Sequence, residues 1–242
     1  MGIEGKVALV TGGSRGIGAA VAVALAERGA DIGLTYVTNA DEVVARIRGL
    51  GREVLAVRAD SGDVEAVETA VAKVAAEFGG IDVLVNNAGE FRIGPVEELT
   101  AADFDRLFAV NVRAPFVAVR AALPWLLDGG RVVTIGSNVA SRAAFPGFSL
   151  YSASKAALLG MTKALGRELG PRGVTVNLVS PGPTDTDLSP DDDGPNARHI
   201  KSFTALGRYA RPSEVAAAVV FLVSEGDYVT GAELLVDGGF TA

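Results

Sequence analysis

The chain has 242 residues, about half of them hydrophobic, and a net charge of −7, enough apolar material for a large core and a balance that argues against nucleic-acid binding as a main role. It has no cysteine, which excludes disulfides, thiolate metal sites and cysteine nucleophiles. Its single histidine, His199, rules out a multi-histidine zinc site and is the only one a Ser-His-Asp hydrolase would have to use.

No apolar run reaches the roughly 18 to 20 residues needed to span a bilayer, and "MGIEGKVALV" lacks a basic region followed by a long apolar stretch. The expectation is a cytoplasmic protein without membrane or nucleic-acid partners. Along the chain, short β-branched runs alternate with longer alanine-rich segments. "KVALVT" is followed by "GIGAAVAVALAERG", "DIGLTY" by "DEVVARIRGLG", and "EVLAVRAD" by a helix stopping at Gly79 and Gly80. "IDVLVNNAG" then reads as a buried strand entering a loop. Thr100 with Asp103 forms a capping-box pattern for a helix running to about Trp125. "RVVTIGS" is a strand, the segment around Tyr151 a helix, and "VTVNLVS" another strand. A proline- and aspartate-rich stretch from Pro181 to about Arg211 precedes "PSEVAAAVVFLVS" and "ELLVDGG". Strands without polar alternation, separated by helices, predict a parallel sheet covered on both faces. The expected architecture is one doubly wound Rossmann-type α/β domain over 1–242, with about seven strands and ligands beyond their carboxyl ends.

"TGGSRGIG", Thr11 to Gly18, falls where the first strand hands over to the first helix. Glycines there let backbone N–H groups approach a phosphate, and the helix N-terminus favours negative charge. The spacing G-x-x-x-G-x-G differs from the common dinucleotide fingerprint, so its force comes from the strand-turn-helix context. The second strand ends "LTYVTN" with no carboxylate between Asp31 and Asp41, and Asp31 lies at its far end. An acidic residue at the near end would repel a 2′-phosphate. Its absence, with Arg15 in the glycine turn, favours NADPH over NADH.

Tyr151 and Lys155, in "SLYSASKAAL", are four residues apart, so on a helix they share one face. With "TGGSRGIG", "NNAG" at 86–89, Asn111, Ser137, "PGPTDTD" at 181–187 and "VDGGF" at 236–240, the sequence resembles the short-chain dehydrogenase/reductase family over essentially its whole length. The ending "YVTGAELLVDGGF" looks most like 3-oxoacyl carrier-protein reductases and related bacterial carbonyl reductases.

The resemblance implies Tyr151 as general acid/base, Lys155 lowering its pKa and holding the nicotinamide ribose, Ser137 orienting the carbonyl, and Asn111 supporting a proton relay. It implies cofactor contacts from Gly12, Ser14, Arg15, Gly16, Ile17, Gly18, Tyr36, Asp60, Asn87, Ala88, Gly89, Pro181, Gly182 and Thr184, besides Tyr151 and Lys155. Ser137 lies fourteen residues before Tyr151 where thirteen is commonest in the family, and the residue at thirteen is Asn138. An extra residue in "NVASRAAFPGFSL" absorbs the difference, so Ser137 keeps the role.

Expected pocket walls are Phe91, Val139, Phe145 and Phe148 beside Tyr151, with Leu188, Ile200 and Phe203 from a substrate lid at about 184–210. Glu90 and Arg92 stand near the mouth as polar selectors or exposed residues. The three aspartates at 191–193 read as a solvated loop tip. The family also implies a homotetramer built on helices at about 101–126 and 150–170 and on the C-terminal strand. The leading expectation is an NADPH-dependent carbonyl reductase. The alternatives are a nucleotide-binding regulator on the same fold, for example for a cyclic dinucleotide, and more remotely a hydrolase using His199.

Overall fold

The computed structural model describes residues 2–192 and 194–242. The first apolar run forms β1 (Val7–Val10), followed by α1 (Gly16–Ala26), β2 (Asp31–Tyr36), α2 (Asp41–Gly49) and β3 (Val54–Arg58). Next come α3 (Val64–Phe78) and β4 (Ile81–Asn86). Asp63 caps α3 by accepting from the N–H groups of Glu65 and Ala66, and Gly79 ends it in the left-handed conformation at φ 80°.

Beyond β4 the chain forms α4 (Ala101–Phe108), α5 (Ala114–Ala122), β5 (Leu126–Ile135), α6 (Ser149–Leu169) and β6 (Thr175–Pro181). It finishes with α7 (Pro195–Lys201), α8 (Pro212–Ser224) and β7 (Glu233–Val236). The strands form one seven-stranded parallel sheet in the order β3-β2-β1-β4-β5-β6-β7. The order reverses between β1 and β4, which opens a crevice above the carboxyl ends of those two strands.

Alternate residues of each strand feed two cores, which is why the strands read as unbroken apolar runs. Ala8, Val10, Ile32, Leu34 and Val85 face α1 and α8, whereas Leu9, Leu84, Val132 and Val176 face α3 and α5. Burying a side chain of this size stabilises by roughly 1.5–3 kcal/mol. The strand ends that carry the site are thus held rigidly from both faces.

Three expectations are revised. The helix expected from Thr100 to Trp125 starts at its capping box but carries a π-helical turn at Ala109–Arg113 and ends at Ala122. The wider turn alters the helical phase at Asn111. The strand read as "RVVTIGS" begins earlier, at Leu126, and ends before Gly136 and Ser137. The stretch after Pro181 is not wholly irregular, because it contains α7 and closes on itself through a parallel bridge between Thr184 and Ala210. Asp193, one of the three aspartates of the expected loop tip, lies outside the described residues. Among the described residues no helix is long and apolar enough to cross a membrane.

Candidate active site

The glycine turn is built by close approach. Gly12 adopts φ +61°, its N–H donates to Thr35 Oγ1 at 2.9 Å, and the amide of Asn87 donates to the carbonyls of Thr11 and Gly12, each at 3.0 Å. Thr11 Oγ1 accepts from the N–H groups of Asn87 and Ala88 at 3.0 and 3.1 Å. A Cβ on Gly18 would stand 2.3 Å from the Gly12 carbonyl oxygen and 2.4 Å from Asn87 Nδ2. Glycine there lets the first turn of α1 lie against the end of β4, leaving the helix N-terminus open to an anion.

From this cradle a cavity of about 580 Å³ runs over the strand ends. The expected contacts Gly12, Ser14, Arg15, Gly16, Ile17, Gly18, Tyr36, Asp60, Asn87, Ala88, Gly89, Pro181, Gly182 and Thr184 all line it. Such a cradle of close-packed glycines with an elongated cavity fits a dinucleotide. Asp31 is at the opposite end of β2, where Arg52 holds it through contacts of 3.0 and 2.7 Å. Tyr36, Val37 and Thr38 therefore present no carboxylate at the near end. Arg58 donates to the Val37 carbonyl at 3.0 Å, bringing a second guanidinium close to that end. Arg15 pairs with Asp187 at 3.5 Å across the cavity rim, both side chains largely exposed.

At the other end Ser137, just beyond β5, stands by Tyr151 on α6, close enough to pull the tyrosine pKa down. Lys155, one turn further, is buried and donates from Nζ to the Ile135 carbonyl at 3.1 Å, with Nζ 5.8 Å from the centroid of the Tyr151 ring. Burial lowers the Lys155 pKa to about 8. Burial also pushes the Tyr151 hydroxyl up to about 12, against a smaller downward pull from Ser137. The lowered tyrosine pKa expected from the neighbouring lysine is therefore not present in the protein alone. Burial dominates, and the ammonium of Lys155 is turned to a backbone carbonyl.

Asn111 sits in the π turn and is buried. Its amide grips the backbone of Glu90 in both directions, accepting from the Glu90 N–H at 2.9 Å and donating to its carbonyl at 3.0 Å. It also donates to Ser154 Oγ at 3.1 Å, and Ser154 Oγ donates to the Tyr151 carbonyl at 2.8 Å. Ser137, Tyr151 and Lys155 thus meet at one end of the cavity, with Asn111 buried behind them and linked through Ser154.

Aromatic rings wall that end. Phe91 stands edge-on to Tyr151 at 4.8 Å and to Phe148 at 5.9 Å, and Val139, Phe145, Leu188 and Ile200 complete the lining. Phe203, expected as a substrate contact, does not line the cavity. It packs behind Phe145 at 4.8 Å, with Phe240 and His199 also against it. Arg92 points away to Asp103 at 2.9 Å, whereas Glu90 faces the cavity and pairs with Arg106. Sequence reading passed over Thr35 and Arg106. Thr35 is one more β-branched strand residue, and nothing in "AADFDRLFAV" marks one arginine as facing inwards.

A family model described as enoyl-(acyl carrier protein) reductase matches residues 12–241. The chain is 42% identical over 239 residues, 98% of each chain, to the cyclic-di-GMP-binding biofilm dispersal mediator protein of Escherichia coli strain K12. It is also 42% identical over 246 residues, covering 99% of this chain and 94% of the other, to the D-threitol dehydrogenase of Mycolicibacterium smegmatis. A short chain dehydrogenase from Burkholderia cenocepacia J2315, solved in complex with NADP, superposes with a TM-score of 0.97 at 51% identity, all of both chains being covered. The likeness runs through glycine turn, sheet order and the Tyr151 helix alike, and the chain belongs to the short-chain dehydrogenase/reductase family of oxidoreductases.

Proposed function

We propose that the chain is an NADPH-dependent carbonyl reductase acting on a hydrophobic ketone or a 3-oxoacyl thioester. The observation that carries this reading is the meeting of Ser137 and Tyr151 beside buried Lys155 at the aromatic end of a cavity whose other end is a glycine cradle. The nicotinamide, when bound, supplies hydride to the carbonyl carbon. Ser137 donates a hydrogen bond to the carbonyl oxygen as negative charge develops there. Tyr151, held protonated by burial, delivers its proton to the same oxygen. The ammonium of Lys155 steadies the resulting tyrosinate, and the Asn111–Ser154 chain orders the helix end through which the proton is replaced.

The cofactor preference is supported by the bare end of β2, by Arg15, and by the NADP in the Burkholderia relative. Arg15 is free to exchange Asp187 for a phosphate at small cost, since an exposed pair contributes about 0–1 kcal/mol. Arg15→Ala is expected to weaken NADPH binding about tenfold, roughly 1.4 kcal/mol, and to leave NADH unchanged in a titration of cofactor fluorescence. Equal losses for both cofactors would count against a 2′-phosphate contact.

The segment 184–210 acts as the lid of the substrate end, supported by Leu188 and Ile200 in the lining and by the Arg15–Asp187 pair at the rim. A homotetramer is supported by exposed Phe104, Phe116 and Trp125 on and beside α4 and α5. Sedimentation at micromolar concentration checks it, and a monomer would overturn it.

The test of the activity is oxidation of NADPH against a ketone panel that includes a 3-oxoacyl thioester. Turnover faster with NADPH than NADH and dependent on Tyr151 supports the reading. A second reading, a cyclic-dinucleotide-binding regulator, rests on the name of the Escherichia coli relative. Binding of cyclic di-GMP without any Tyr151-dependent turnover would favour it.

A further inference from the structure

Of the carboxylates that line the cavity, Asp60 in the loop after β3 and Glu90 in the loop after β4 are joined by one guanidinium. Arg106, on α4, donates to Glu90 Oε1 from Nε at 2.8 Å and from Nη2 at 2.5 Å. The same guanidinium reaches Asp60 from Nη1 at 3.3 Å and from Nη2 at 3.2 Å. Asp60 in turn accepts from the Gly62 N–H at 2.8 Å. A Cβ on Gly62 would stand 2.2 Å from Arg106 Nη1, so the guanidinium lies directly against that turn.

The other end of the bridge is equally defined. Glu90 is held by its side chain through Arg106 and by its backbone through Asn111, and those two residues are five apart on the helix that carries the π turn. We propose that Arg106 is a positioning residue that locks the 59–62 and 87–90 loops together, so that one arm of the bridge presents Asp60 to the cofactor cavity while the other holds Glu90 where the Asn111 amide grips its backbone. The inference rests on the reductase reading and assigns that site a part nothing in its sequence pattern marks.

The contribution is geometric. All three side chains are between about a third and a half exposed, at 48, 50 and 38% for Arg106, Asp60 and Glu90. Pairs exposed to this degree contribute little to stability. A planar fork nonetheless fixes orientation in a way a single point charge does not. The two carboxylates also stand where an anionic cofactor must enter, and Arg106 offsets one of the two negative charges. Asp60 is held below the ordinary carboxylate range by the Gly62 N–H and by Arg106, so that arm of the bridge stays ionised at neutral pH.

The test measures NADPH binding by fluorescence and steady-state kcat for the wild type, Arg106→Gln, Arg106→Lys and Glu90→Gln. Arg106→Gln, which frees both loops, is expected to raise the NADPH Kd about tenfold and to lower kcat about fivefold, with Arg106→Lys between it and the wild type. Glu90→Gln weakens only the relay-side arm, and should lower kcat about threefold with the NADPH Kd within about twofold of the wild type. Wild-type values for both constants in Arg106→Gln would overturn the inference, as would a loss confined to melting temperature in either variant. Should Arg106→Gln fail to fold, the split between kcat and Kd in Glu90→Gln decides. A wild type that binds no NADPH would instead sink the reductase reading itself.

Discussion

Tyr151→Phe is expected to lower reductive kcat by about 10²–10⁴-fold, the usual worth of a positioned general acid, while NADPH binding stays within about twofold. The substitution removes one oxygen. It keeps the ring that Phe91 meets edge-on at 4.8 Å and that Phe148 flanks at 6.5 Å, so the aromatic wall keeps its packing. What disappears is the hydroxyl beside Ser137, with the proton that burial holds on it up to about pH 12. A hydroxyl with that pKa is almost wholly protonated at neutral pH, the state an acid needs when a carbonyl becomes an alkoxide. The same burial makes it a poor base, so alcohol oxidation in the reverse direction should accelerate as pH rises. Single-turnover mixing of NADPH-loaded protein with ketone separates the chemical step from binding. A variant that reduces ketone within tenfold of the wild type would remove Tyr151 from the reaction.

The sheet and its order of motifs were readable because they rest on local patterns. Apolar runs such as "IDVLVN" are buried on both faces, and the pair Gly79–Gly80 marks a helix end by conformation alone. The glycine turn was readable for the same reason, since its residues are neighbours in sequence as well as in space. What escaped is long-range. Phe203 carries the same apolar signal as Phe145, and only the packing of α7 decides that one lines the cavity and the other supports it. The π turn at Asn111 leaves no mark in composition, because one extra residue in a helix changes direction and not character. The pKa of Tyr151 is set by burial against a smaller pull from Ser137, and the ammonium of Lys155 is turned to Ile135, none of which i, i+4 spacing fixes.

Lys155→Met should stabilise the cofactor-free protein while stopping turnover, and the two effects have one origin. Lys155 is buried with a backbone carbonyl as its hydrogen-bond acceptor, and burial lowers its pKa from 10.5 to about 8. A folded-state pKa below the unfolded one means that the unfolded chain binds more protons between those values. Stability therefore rises as pH climbs from about 8 to 10.5, and the cost is fully present below about 8. The gap corresponds to roughly 3 kcal/mol at pH 7. Methionine fills a similar volume without charge, although leaving the Ile135 carbonyl without its donor takes back about 1 kcal/mol. A net gain of roughly 2 kcal/mol, or about 4–8 °C in melting temperature for a chain of this length, is expected at pH 7. The advantage should shrink steadily as pH approaches 10.5, which chemical denaturation at a series of pH values reads directly. A variant less stable than the wild type at pH 7, or an advantage that does not change with pH, would show that the lysine is not held under this strain. Reductive turnover in the wild type should fall above about pH 8, where the ammonium that steadies the tyrosinate loses its proton. The charge the fold disfavours is the charge the reaction uses, and a residue of that kind is retained for chemistry at the expense of stability.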